Sequence, residues 1–129
     1  MKQQDSPAVA LAREHAEAWT NHNYDKARSM LADDVNVDTT STQPTIKPTH
    51  LIGADKYMEG LIAFAQGIQA GSGEVVASIG DKQNSLILLV VKADFPGVGK
   101  VTLPAARLAL WDENNKLKSE QVVFFALSD

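Results

Sequence analysis

Residues 85–94, SLILLVVKAD, and 100–111, KVTLPAARLALW, decide how this chain folds. Both read as strands. Leu86 to Val91 is the longest apolar run, too short for a membrane span and right for a buried strand. In the second stretch, strict alternation puts Val101, Leu103, Ala105, Arg107, Ala109 and Trp111 on one face. Thr102, Pro104, Ala106, Leu108 and Leu110 take the other. Arg107 is a long cation between two alanines, which suggests space on that face. Leu86–Val91 is apolar on both faces, so both sides of its sheet should be covered. Phe124 and Phe125 likewise put one aromatic ring on each face of the last strand.

Outward from this pair, four strands are expected at Glu74–Gly80, Ser85–Asp94, Lys100–Trp111 and Lys116–Leu127. Short turn-rich links (DKQN, FPGVG and DENN) make them an antiparallel meander. Upstream, Ser6-Pro7 combines a side-chain N-cap with proline at the first helical position. Ala8, Leu11, Ala12, His15, Ala18 and Trp19 then recur at helical spacing. A second helix is expected over Tyr24–Ala32, a short strand over Val35–Thr39 and a third helix over Ala54–Gln69. Gly60 and Gly67 weaken that helix by about 1 kcal/mol each relative to alanine. Residues 41–52, STQPTIKPTHLI, read as one long irregular loop, a candidate lid or binding loop. The order α-α-β-α-β-β-β-β segregates helices from strands. It indicates an α+β fold: one curved antiparallel sheet with helices on its concave face.

Composition bounds the function. At 129 residues the chain is one domain, with residues 1–6 expected to be a flexible N-terminus. A net charge of −4 and dispersed basic residues argue against nucleic acid or an anionic membrane as partner. With no cysteine, thiolate catalysis and cysteine–zinc sites are excluded, and a cytoplasmic location is expected. There is no glycine-rich phosphate loop, no H-E-x-x-H and no G-x-S-x-G. His15 and His22 are about two helical turns apart, too far to share a metal. Neither cofactor nor metal is expected. The second cover for the sheet is expected to be another copy of the chain, giving a homodimer through the outer sheet face.

Four segments carry a family resemblance: ALAREHAEAW (10–19), NHNYDKARSMLADDV (21–35), GADKYMEGL (53–61) and LALWDENNKLKSEQVVFF (108–125). They resemble the nuclear transport factor 2-like superfamily, in its SnoaL-like and ketosteroid-isomerase-like branches. The resemblance runs over about residues 7–127 and implies a single SnoaL-like domain over 7–129. It implies a cystatin-like cone with an apolar pocket between sheet and helices, commonly dimeric. Members of the superfamily include isomerases, dehydratases, cyclases, epoxide hydrolases and non-enzymatic binding modules, so fold does not deliver activity. The branch motifs are incomplete. His15 stands where steroid isomerases carry a tyrosine. Thr39 falls at their general base, with Asp38 one residue before it. Ala106 falls near their second acid, beside Arg107. Arg107-Leu108-Ala109 keeps the arginine of the epoxide-hydrolase pair and loses its acid. No histidine lies in the long strands.

The expected function is therefore binding of a small, largely apolar organic molecule. Cofactor-free proton transfer (isomerisation, cyclisation or dehydration) is one use of it, and a non-catalytic binding or association domain is the alternative. His15 is a candidate acid/base, suited by a pKa near neutrality, or a satisfied core histidine. Arg107 is a candidate anion stabiliser, or a structural partner of Glu120 or Asp94. Asp38 is a candidate base, although alternation with Val35 and Val37 turns it toward solvent. Trp19, Tyr57, Leu61, Phe64, Ala105, Ala109 and Gln121 are candidate pocket residues, and His50 a candidate gate. Glu120 and Gln121 lie on opposite faces of the last strand, so only one looks inward.

Overall fold

A computed structural model describes residues 5–41 and 48–125. The elements run α1 (Pro7–Thr20), α2 (Tyr24–Ser29), β1 (Leu31–Ser41), β2 (Thr49–Ile52) and α3 (Ala54–Ala65). The strands β3 (Glu74–Gly80), β4 (Asn84–Phe95), β5 (Gly99–Trp111) and β6 (Leu117–Phe124) follow. All six strands form one curved, unclosed sheet in the order β2-β1-β6-β5-β4-β3. The architecture is α+β, with the meander placed as its turns dictate. The expected flexible stretch lies largely outside the described residues.

Several expectations are corrected. The sheet is mixed rather than wholly antiparallel, because β1 runs parallel to β6, from Leu31 beside Leu117 to Ser41 beside Phe124. That pairing also shortens α2. The carbonyl of Met30 accepts from the Leu117 N–H (2.7 Å), so the chain is already in the sheet at Leu31 instead of remaining helical to Ala32. The 41–52 segment is not one loop, since Thr49–Ile52 forms β2 against β1, and residues 42–47 lie outside the described ones. Helix α3 ends at Ala65, not Gln69. Beyond it, Gly67 and Gln69 bond the backbone of Asp94 and Lys92 (both 2.8 Å), which draws this segment onto the end of β4. A Cβ on Gly67 would stand 2.5 Å from the Phe95 ring, so the close approach needs glycine. The last strand runs Leu117–Phe124, and residues 126–127 of the expected Lys116–Leu127 lie outside the described ones.

Local chemistry explains how the helices are set. The Ser6 hydroxyl accepts from the Val9 N–H at 3.2 Å, with Pro7 opening α1. Gly53 enters α3 at φ +97° and its N–H reaches the Val35 carbonyl (2.6 Å). The core lies between helices and sheet. It holds Val9, Ala12, Ala16 and Trp19 of α1, Tyr57, Met58 and Leu61 of α3, and the inner faces of β4 and β5. Ile87, Leu89 and Val91 point inward. Leu86, Leu88 and Val90 point to the outer face, where Leu86 (41%), Leu108 (45%) and Phe125 (39%) are exposed. No described element of the chain covers that face. No helix among the described residues is long and apolar enough to cross a membrane.

Candidate functional site

The inner face of β5 and β6 brings together ionisable groups far apart in sequence. Arg107 and Glu120 both project inward at neighbouring register positions, since Arg107 faces Val122 and Ala109 faces Glu120. The Glu120 carboxylate accepts three hydrogen bonds. Arg107 Nη2 gives one to Oε1 (2.9 Å) and Arg107 Nε one to Oε2 (3.3 Å). The Tyr57 hydroxyl donates to Oε1 at 2.7 Å, reaching across from α3. The pair is nearly solvent-free, with side-chain exposures of 7% and 4%. The guanidinium also sits over the Trp19 ring, 5.0 Å from its centroid.

Protonation follows from burial and neighbours. Burial alone would lift the Glu120 pKa, but the Arg107 charge, His15 and the hydrogen bonds outweigh it and hold the carboxyl below its ordinary value. Burial likewise works against the Arg107 cation, and the Glu120 charge, Tyr57 and the hydrogen bonds together outweigh it, so Arg107 stays charged. Tyr57 is pushed well above its ordinary value, first by burial and then by the adjacent carboxylate. Burial lowers the His15 pKa to about 4, partly opposed by the Glu120 charge. At neutral pH the cluster is one ion pair, a phenol and a neutral imidazole.

A pocket of about 370 Å³ opens onto this cluster, at the small end of the ~300–1,000 Å³ typical of small-molecule sites. Val37 and Thr39 of β1 and Thr49 and Leu51 of β2 form one wall. Tyr57, Gly60, Leu61 and Phe64 of α3 form the roof. Arg107, Glu120, Val122 and Phe124 form the floor. A larger groove of about 720 Å³, between residues 66–69 and the far ends of β4 and β5, has its charges (Lys92, Asp94 and Lys100) at the exposed surface.

The candidates divide. Tyr57, Leu61, Phe64 and Arg107 meet at the pocket. His15 is buried beside them, its ring centroid 6.1 Å from that of Tyr57, but lies behind the floor. There it lines a second space of only about 10 Å³ with Trp19, Ala109 and Trp111. Trp19 therefore backs the floor. Ala105 and Ala109 are buried on the inner face without lining the pocket. Two placements are corrected. Gln121 is exposed on the outer face, because Glu120, Val122 and Phe124 share the inward parity. Asp38 is also outside the pocket: Val35 and Val37 take the inward positions, and Asp38 pairs with His50 across the β1–β2 ladder at half-exposed positions. His50 is thus tied to a strand.

Glu120 is the residue the sequence reading underused. Its parity with Val122 and Phe124 was the available signal. Thr39 shares its parity with Val35 and Val37, whereas Thr49 and Leu51 carried no signal, because their strand sat inside an apparent loop.

No protein-family model matches this chain, and no curated protein matches it significantly. Solved structures do. A Shewanella putrefaciens CN-32 protein classed as a SnoaL-like polyketide cyclase superposes with a TM-score of 0.74 at 15% identity, over 94% of this chain and 91% of its own. A nuclear transport factor 2-like protein of unknown function from Cytophaga hutchinsonii ATCC 33406 gives 0.68 at 18% identity, over 96% and 94%. A Catenulispora acidiphila DSM 44928 protein with a ketosteroid-isomerase-like fold, in complex with trimethylamine, gives 0.69 at 15% identity, over 87% and 82%. The chain has the fold these structures share, the cystatin-like α+β cone of SnoaL-like and ketosteroid-isomerase-like proteins.

Proposed function

We propose that the pocket under α3 binds a small, uncharged, largely apolar organic molecule carrying one hydrogen-bonding group. The observation that carries this reading is the neutralised floor. Arg107 and Glu120 satisfy each other, so a ligand carboxylate would meet Glu120 repulsion and a ligand cation Arg107 repulsion. A neutral polar group meets neither, and the apolar walls take the rest of the molecule. Calorimetry and thermal shift with neutral apolar ketones, against matched carboxylates and amines, test it. The neutral compounds should bind, and Thr49→Trp, at the exposed end of the wall, should block them. Equal binding of the charged compounds, or undiminished binding to Thr49→Trp, would refute the reading.

Proton-transfer catalysis on the bound molecule (isomerisation, cyclisation or dehydration) is a second reading. One observation favours it: buried ionisable groups stand at the pocket floor, where apolar residues of similar volume would pack at lower cost. Glu120 is the proton acceptor within reach, and its depressed pKa makes it a weak base. Product formation followed by NMR separates this reading from binding alone.

We also propose a homodimer through the outer sheet face. Leu86, Leu108 and Phe125 give that face an exposed apolar centre, next to half-buried Leu88, Val90 and Val123.

A further inference from the structure

Behind the pocket floor, two buried polar atoms lack a hydrogen-bond partner, and the residues that carry them line the same small space. They are Nε2 of His15 and Nε1 of Trp19, on residues only 2% and 1% exposed. The space measures about 10 Å³, close to the ~10–15 Å³ that holds one water molecule. Besides these two residues, Glu120 and Arg107 are its only ionisable neighbours. Trp111 also lines it, but its N–H is already given to Ser85 at 3.0 Å.

From this arrangement we infer a site for a single internal water that joins His15, Trp19 and Glu120. Donors and acceptors fix its orientation. An indole N–H can only donate, so the water accepts from Trp19. Of the two His15 ring nitrogens Nε2 is the one without a partner, so the proton of the neutral ring is assigned to Nδ1, which leaves Nε2 a lone pair. The water therefore gives one proton to Nε2. Its second proton goes to Glu120. A carboxylate has about four acceptor positions, and three are filled, two on Oε1 and one on Oε2. The open one is on Oε2. Three hydrogen bonds is the usual complement of a buried water. His15 is then a positioning residue. It acts on the pocket through the water and Glu120, without touching a ligand itself.

The reading is independent of the ligand. Its test is a crystal structure of the unliganded wild-type chain at about 1.5 Å, together with water–protein NOEs and histidine 15N shifts in solution. The expected result is one density peak within hydrogen-bond reach of Trp19 Nε1, His15 Nε2 and Glu120 Oε2. A water NOE to the Trp19 indole proton should accompany it, and the His15 shifts should show the proton on Nδ1. Trp19→Phe should lose the peak. An empty space, a direct His15–Trp19 contact or a proton on Nε2 would overturn the inference. These results leave the pocket reading untouched, since that fails only on the ligand measurements.

Discussion

Replacing Glu120 by glutamine keeps the shape of the pocket floor and removes its negative charge. The amide retains one acceptor oxygen and turns a donor NH2 toward Arg107, whose Nε and Nη2 both donate to the present carboxylate. The guanidinium, 7% exposed, then keeps the amide oxygen and the Trp19 ring face but no counter-charge. Breaking a buried pair from one side costs about 3–5 kcal/mol. Against a typical total of about 5–15 kcal/mol, that is a large fraction of the stability of a domain this size. At roughly 3–5 °C per kcal/mol it lowers Tm by about 10–25 °C. Circular dichroism through thermal and urea unfolding reads both values. The double variant Arg107→Leu/Glu120→Leu removes both charges and should recover to within about 2 kcal/mol of wild type or exceed it. Losing under ~1 kcal/mol in Glu120→Gln, or finding the double variant no better than the single one, would refute the reasoning.

Other perturbations test other parts of the chain. The folded pKa of His15 lies near 4, below its ordinary 6.5, so the unfolded chain binds the extra proton between those values. Stability should therefore fall by about 3 kcal/mol as pH drops from 7 to 4, at ~1.4 kcal/mol per unit, and His15→Gln should flatten that slope in urea titrations. A slope unchanged in the variant would contradict the assignment. Glu120, whose folded pKa is depressed, adds its own loss below its unfolded pKa as the carboxylate protonates. Ser6→Ala removes the α1 cap and should cost about 1 kcal/mol by urea unfolding while ligand affinity stays the same; no measurable cost would mean the cap is idle. Leu108→Glu should turn a dimer into a monomer by light scattering, and a wild-type chain already monomeric at high concentration rules the interface out.

The meander was legible because its residues report a two-residue period without help from distant chain. Val101 to Trp111 alternates cleanly, and from Leu103 onward the face that carries Arg107 is the buried one. The first half was less legible for a physical reason. Residues 31–34 and 49–52 are strands because of what lies beside them: Leu31 pairs with Leu117, and Thr49 with Thr39. Neither segment shows strong alternation, and tertiary pairing overrides a weak local preference. The site divides the same way. Arg107 stood out as a cation among small apolar neighbours. Tyr57 and His15 followed from helical spacing. The assignment of each to the pocket or to the layer behind it depends on the angle of α1 and α3 across the sheet, which spacing does not encode. Asp38 was kept as a candidate for standing beside the family's general-base position although strand alternation already turned it toward solvent, and for Gln121 the alternation with Glu120 left open which of the two looks inward.

The parallel seam between β1 and β6 has a consequence for how the molecule is made. One side of β1 emerges from the ribosome with no neighbour until residues 117–124 have been synthesised. Helix α1 and the β3–β5 meander can assemble first from near-neighbour contacts, whereas Val37 and Thr39 await a strand encoded much later. Folding limited by such a distant pairing belongs on the ~ms–s timescale, slower than that of helical bundles. Until it completes, the unsatisfied backbone edge of β1 is open to strands of other chains. A ribosome-bound nascent chain stopped short of Leu117 would then expose that edge and lack Glu120, so edge protection and pocket floor arrive in one late step.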